Sequence, residues 1–121
     1  MRRAPVACLV AMLVMAACEP AGQAPLTAIV GATLVDGSGG APVEDSVILI
    51  AGAAIVAAGP RATVSLPARA VKVDGRGKYA VPASGERIAA GRPANLLLLR
   101  GNPLMGTSAP ERTMRGGQWV N

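Results

Sequence analysis

The chain has 121 residues, of which 51% are hydrophobic but only 2% aromatic, so any core must be built from Ala, Val, Leu and Ile in one small domain. It has no histidine, which removes the commonest neutral metal ligand and the usual general base near neutral pH, and with them most metal, Ser/His and Cys/His chemistry. Twelve Lys and Arg against seven Asp and Glu give a formal charge of +5, but without a basic run; a nucleic-acid footprint is not supported.

The first segment, Met1 to Cys18, pairs the cations Arg2 and Arg3 with an apolar run from Val6 to Val14, closed by Glu19 and Pro20. A bilayer-spanning helix needs about twenty apolar residues, so this run reads as a signal peptide over residues 1–17. The sequence Met15-Ala16-Ala17-Cys18 resembles the lipobox of bacterial lipoproteins, in which cleavage precedes a cysteine that carries a diacylglycerol. The alternative is ordinary cleavage after Ala16-Ala17, leaving Cys18 as a free thiol. Cys8 falls within the apolar run and is lost on cleavage, leaving Cys18 without a disulfide partner, as lipidation would require. The expectation is an exported, envelope-located protein whose membrane contact is a lipid anchor at Cys18, with residues 18–25 as a Pro/Ala/Gly tether.

Aliphatic runs punctuated by Gly, Pro and Asp follow from Leu26, the texture of an all-β domain. The first run ends at Asp36-Gly37 and Gly39-Gly40, Ala51-Gly52 divides the second into a hairpin, and Asp74-Gly75 with Arg76-Gly77 turns the third. Asn95 to Leu99, bounded by Pro93 and by Gly101-Asn102-Pro103, reads as a central strand buried on both faces. A short helix fits only in Thr107 to Arg112, and a terminal hairpin is expected at Gly116-Gly117. The glycines read as turn residues, since no strand–Gly-rich loop–helix context makes them phosphate binders.

These runs resemble the N-terminal arm of metal-dependent amidohydrolases related to imidazolonepropionase. The matching positions are Gly31 to Gly37, Val47 to Ile50 with Gly52 and Ile55 to Gly59, and Asp74 to Lys78. Gly85 to Leu96, Gly101-Asn102-Pro103-Leu104 and Arg115-Gly116-Gly117 are similar to the family's C-terminal arm. The resemblance implies a small composite β-sandwich over residues 26–121, with residues 26–82 and 86–121 as its two arms and 83–85 as the seam between them. In the family a (β/α)₈ barrel lies between the arms and holds every metal ligand; here Pro82-Ala83-Ser84-Gly85 runs straight into the second arm. The three seam residues span at most about 10 Å, so the arms must end close together. The family's zinc or other divalent metal finds no ligands to carry over, and Asn95 replaces the aspartate usual at its position.

The remaining polar groups do not build a catalytic, cofactor or metal site. Asp36 and Asp74 belong to turns; Glu44-Asp45 is the only adjacent acidic pair, and its side chains point to opposite faces of an extended segment. Glu86 and Glu111 stand apart from other ligands, and Ser84 has no base to activate it. Lys72 and Lys78 read as solvated, Tyr79 and Trp119 as covers for core edges. The sequence thus points to a truncated amidohydrolase-family protein without catalysis. The alternatives are a small envelope binding or scaffolding module, a hydrolase part completed by another chain, and an interrupted gene. Loss of the barrel would also bare an apolar face open to self-association or a protein partner.

Overall fold

The computed structural model describes residues 24–83, 87–103 and 110–120. The signal segment, Cys18, most of the tether, Ser84, Gly85, Glu86, Leu104 and the start of the Thr107–Arg112 helix lie outside the described residues. Every regular element among the described residues is a strand, as expected: β1 (Leu26–Leu34), β2 (Val43–Ala51), β3 (Ala54–Pro60), β4 (Val71–Asp74), β5 (Tyr79–Pro82), β6 (Leu96–Leu99), β7 (Pro110–Arg115) and β8 (Gln118–Trp119). They form one open sheet in the order β3-β2-β1-β5-β6-β7-β8, with β4 also beside β1, consistent with a small β-sandwich without a barrel.

The sheet is buried on both faces around β1 and β2. In β2 the side chains alternate, Ile48 and Ile50 entering a large cluster while Leu49 and Ala51 enter a smaller one. The smaller cluster is covered by Leu66 and Ala70 from the segment that follows β3. Strand β1 cannot alternate throughout. Ala28 and Val30 face the smaller cluster and Ile29 the larger, but beyond Gly31 it is Ala32 and Leu34 that reach the larger one. The pairing with β2 shifts register between Val30 and Ala32. A bulge inserts one residue, and with a side-chain period of two that single insertion exchanges the faces. Gly31 supplies the bulge with a φ of 91°, a region that side-chain-bearing residues rarely adopt.

The Asp74-Gly75-Arg76-Gly77 turn differs from an ordinary hairpin turn. β4 and β5 do not pair with each other; both run parallel to β1, β4 along Thr27 to Val30 and β5 along Thr33 and Leu34. They are two halves of one interrupted strand, broken where β1 is itself bulged. The Gly75 N–H donates to the Val30 carbonyl (2.7 Å) and the Thr33 N–H to the Lys78 carbonyl (2.9 Å) across the break. Gly75 is buried, and a Cβ there would lie 2.8 Å from the Ala32 Cβ and 3.1 Å from the Ala32 nitrogen. Close approach to β1, not only turn geometry, is what requires this glycine.

The second half joins the first through antiparallel pairing of β5 with β6, Tyr79 to Pro82 against Leu99 to Leu96. Leu96 and Leu98 enter the large cluster, Leu99 is also buried and Leu97 half-buried, so the leucine run is the inner strand expected. The strand begins one residue later than the sequence suggests. Thr107 to Arg112, the one stretch where a short helix could fit, is not helical where it is described: Pro110 to Arg112 belong to β7, whose ladder with Leu98 and Leu99 satisfies the backbone better than an isolated turn. The Gly116-Gly117 hairpin forms between β7 and β8.

Both sides of the seam are bonded to residues that flank strands of the other arm, the Ala83 N–H to the Asn95 carbonyl (3.2 Å) and the Ile88 N–H to the Asp36 carbonyl (3.0 Å). The segment between Ile88 and β6 then ties the two ends of the sheet together. Ile55 donates to Arg92 and Ala94 to Ala53, while the Gly117 N–H donates to the Ala94 carbonyl (3.1 Å). The sheet is thereby bent around the large cluster, which gathers Ile29, Ile48, Ile50, Ile55, Leu96, Leu98 and Met114.

Overpacking a buried position costs about 1–3 kcal/mol, so Gly75→Val should lower stability by that amount. Denaturant melts of the two forms check this; an unchanged midpoint would show that the crossing of β1 and the interrupted strand is loose.

Candidate functional site

Of the described carboxylates, Asp36, Asp45, Asp74 and Glu111 are each engaged by a neighbour. Asp36 Oδ1 accepts from the Ser38 N–H (2.9 Å) and hydroxyl (2.7 Å), which closes the loop after β1. The Ser38 hydroxyl bond is the main cause that holds this carboxyl below its ordinary value. Asp74 Oδ1 accepts from the Arg76 N–H, and the Arg76 guanidinium forks onto both carboxylate oxygens (3.0 and 2.9 Å). Those bonds lower the Asp74 pKa strongly. Asp45 sits at a φ of 51° and is clasped by Arg61, with Nη2 to Oδ1 at 2.6 Å. Arg61 thereby lowers the Asp45 pKa, and its own rises. Glu44 is exposed and forms no constellation with Asp45.

Glu111 pairs with Arg100 (3.3 Å) and lies 3.9 Å from Lys78. Lys78 is therefore not simply solvated: it is half-buried beside β7 because β5 and β6 bring the two halves of the chain together. Lys72 is exposed, and its Nζ donates to the Ala70 carbonyl (3.3 Å). Trp119 packs on the large cluster with the Arg112 guanidinium 4.0 Å from the ring centroid, and Tyr79 is half-buried.

Two polar residues take roles that the sequence did not reveal. Ser46 is fully buried, and its hydroxyl donates to the Ala32 carbonyl at 2.7 Å, beside the bulge. A lone serine in the Ser46 to Ile50 run was the available signal. Asn95 Oδ1 accepts from the Gly116 N–H (2.7 Å), pinning the terminal hairpin to the start of β6. An aspartate there could accept the same bond, so the replacement preserves the structural role.

One groove stands out, with a volume of about 360 Å³. Val30, Leu66 and Val73 form its apolar part; Arg61, Lys72, Arg76 and Asp74 supply its polar part. The residue types do not suit the divalent metal that the resemblance implies. The chain has no histidine, and the described residues contain no group of three or more His, Cys, Asp or Glu that could hold an ion. Asp74, the carboxylate in the groove, is occupied by Arg76.

No family model matches the chain, and no curated protein does. Among solved structures, the chain is similar to molinate hydrolase, with 31% identity over 50% of this chain and 13% of that one, at a TM-score of 0.45. Phenylurea hydrolase B gives 33% identity over 48% of this chain and 13% of that one, with a TM-score of 0.45. A Bifidobacterium longum protein described as a prolidase gives 29% identity over 50% and 15%, with a TM-score of 0.44. The chain thus spans a small part of the length of each.

Asp36, Asp45 and Asp74 all titrate lower in the folded protein than the ordinary 3.8. As pH falls, the unfolded chain binds protons first, so the stability these carboxylates supply is complete above that value and lost below it. Urea midpoints measured downward from about pH 6 should therefore fall at the acid end, and less steeply in Asp74→Asn. A midpoint independent of pH would contradict the pairing.

Proposed function

We propose that this chain is a composite β domain of the amidohydrolase type, without a catalytic centre of its own, held at the cell envelope by a lipid on Cys18. The β5–β6 junction carries the reading. It joins the two motif-bearing halves directly, with Gly31 and Gly75 in the bulge of the first and Ala94, Asn95 and Gly116-Gly117 in the closure of the second. The hydrogen bonds of Ala83 to Asn95 and of Ile88 to Asp36, each from one arm to the other, support a direct meeting of the arms. The lack of histidine and the engagement of Asp36, Asp45, Asp74 and Glu111 support a non-catalytic role and no resident metal. In that reading, hydrolysis of non-peptide C–N bonds is the ancestral chemistry and not this chain's.

The anchor rests on the Arg2-Arg3 start, the short apolar run and Ala16-Ala17 before Cys18. Association with a second copy or a protein partner belongs to the same proposal, through aliphatic side chains that the sheet leaves exposed, Val56 on β3 and Val71 on β4.

Purified protein is expected to hold zinc far below one equivalent and to turn over neither cyclic amides nor dipeptides. Stoichiometric zinc accompanied by turnover would overturn the non-catalytic reading. Mass spectrometry of the N-terminal peptide should find acylated Cys18, and Cys18→Ser should release the protein from membranes as a self-associating species in sedimentation. A soluble, unacylated wild-type form, unchanged by that substitution, would refute the anchor.

A further inference from the structure

Two Asp-Gly pairs turn this chain, Asp36-Gly37 after β1 and Asp74-Gly75 at the end of β4. Both carry the same latent chemistry. The glycine nitrogen can close a five-membered ring onto the aspartate carboxyl carbon, and with no Cβ beside it nothing on the glycine shields that nitrogen. Closure forms the N–Cγ bond and expels one carboxyl oxygen as water, whose two protons come from the amide and from the acid. Water then reopens the imide at either carbonyl, returning aspartate or leaving the main chain running through Cβ and Cγ as isoaspartate. No oxidant or further reactant is needed. The fold decides which pair can follow this course.

At Asp74-Gly75 every reacting group is committed. The Gly75 N–H donates to the Val30 carbonyl at 2.7 Å, Gly75 is buried, and the Arg76 guanidinium holds both Asp74 oxygens. An imide would abolish the bond to Val30, and its ring would need space that Ala32 and Ile29 fill around Gly75. Ring closure there requires the crossing of β1 to open first. Asp36-Gly37 is arranged otherwise. Residues 37–40 are exposed, and among the described residues none accepts from the Gly37 N–H. The Ser38 N–H (2.9 Å) and hydroxyl (2.7 Å) both donate to Asp36 Oδ1. Those donors meet the charge that Oδ1 takes on when the nitrogen attacks Cγ, as the donors of an oxyanion hole do, and Oδ2 is the oxygen that departs.

We infer that Asp36-Gly37 is a site of spontaneous isomerisation to isoaspartate in the folded protein, and that the fold protects Asp74-Gly75 from the same reaction. The inference is independent of the lipid anchor and of the non-catalytic reading. Its consequence is structural, because the Asp36 carbonyl accepts from the Ile88 N–H at 3.0 Å, one of the bonds between the two arms. Rerouting the chain through Cγ turns that carbonyl into a pendant carboxylate and adds one atom to the main chain. Ageing at this one link loosens the point where the second arm returns to the first.

The full protein is aged for several weeks at neutral pH, folded and in parallel in concentrated urea. Isoaspartate is located by fragmentation of its peptides and counted by methylation with a protein isoaspartyl methyltransferase. The rates in urea give the reactivity of each pair without the fold. The ratio of folded to urea rate should be at least about tenfold higher at residue 36 than at residue 74, since opening of a core strand must precede the second reaction. Ser38→Ala should slow the reaction at residue 36 severalfold, while Ser38→Thr, which keeps the hydroxyl, retains it. Asp36→Glu, whose ring would be six-membered, should remove most of the methyl label from the folded protein. Hydrogen exchange at the Ile88 amide should rise in the aged fraction only. Equal ratios at residues 36 and 74 overturn the inference, as do reaction at residue 36 confined to urea and a methyl label undiminished by Asp36→Glu.

Discussion

The crossing of β1 with the interrupted strand β4/β5 is the constraint on which the rest of this sheet depends. Strand β1 pairs with β2 on one side and with both β4 and β5 on the other, so an error in its register would displace the whole sheet. Two glycines make the crossing possible. Gly31 turns the chain through a bulge, and Gly75 lies against Ala32 and Ile29 where no side chain fits. Arg76 lies over the crossing, with its Cγ 2.7 Å from where a Gly31 Cβ would sit, while its guanidinium holds Asp74. One short stretch thus supplies backbone closeness, a cover for the bulge and one side of the groove.

Burial, and not ion pairing, holds the sheet together. Truncating a fully buried Ile or Leu costs about 2–5 kcal/mol, whereas exposed ion pairs such as Arg61–Asp45 and Arg76–Asp74 are screened by water and add little. The large cluster has no aromatic side chain within it; Trp119 covers its edge. Branched aliphatics with few rotamers fill it instead, which suits strands packed at close spacing. The buried Ser46 hydroxyl and the Asn95 amide serve a different purpose. They satisfy backbone groups at the bulge and at the terminal hairpin, places where the regular ladder is broken.

The same chain segment that covers the smaller cluster also concentrates the positive charge. Leu66 and Ala70 turn inward onto β1 and β2 while Arg61, Arg69 and Lys72 remain exposed, so one connection between β3 and β4 both completes a core and defines a surface. The acidic residues of the first half stand apart from it except Asp45, which Arg61 draws in.

What the sequence determined by itself was local. Gly, Pro and Asp positions marked the turns after β1, between β2 and β3 and between β7 and β8; four leucines between Pro93 and Gly101 marked an inner strand; and the absence of histidine removed the commonest neutral metal ligand. These features are legible because a turn, a short apolar run and a missing residue type are properties of a few adjacent residues or of composition. Only the tertiary structure decided that Asp74-Gly75 interrupts a strand and does not fold a hairpin, that Lys78 meets Glu111, that Asn95 reaches Gly116, and that Arg61, Lys72 and Arg76 border one groove. Parallel pairing with β1, the β5–β6 junction and the closure through Ala94 bring together residues far apart in the chain. No local preference encodes such pairings, because they are chosen by the burial of both faces of β1 and β2 at once.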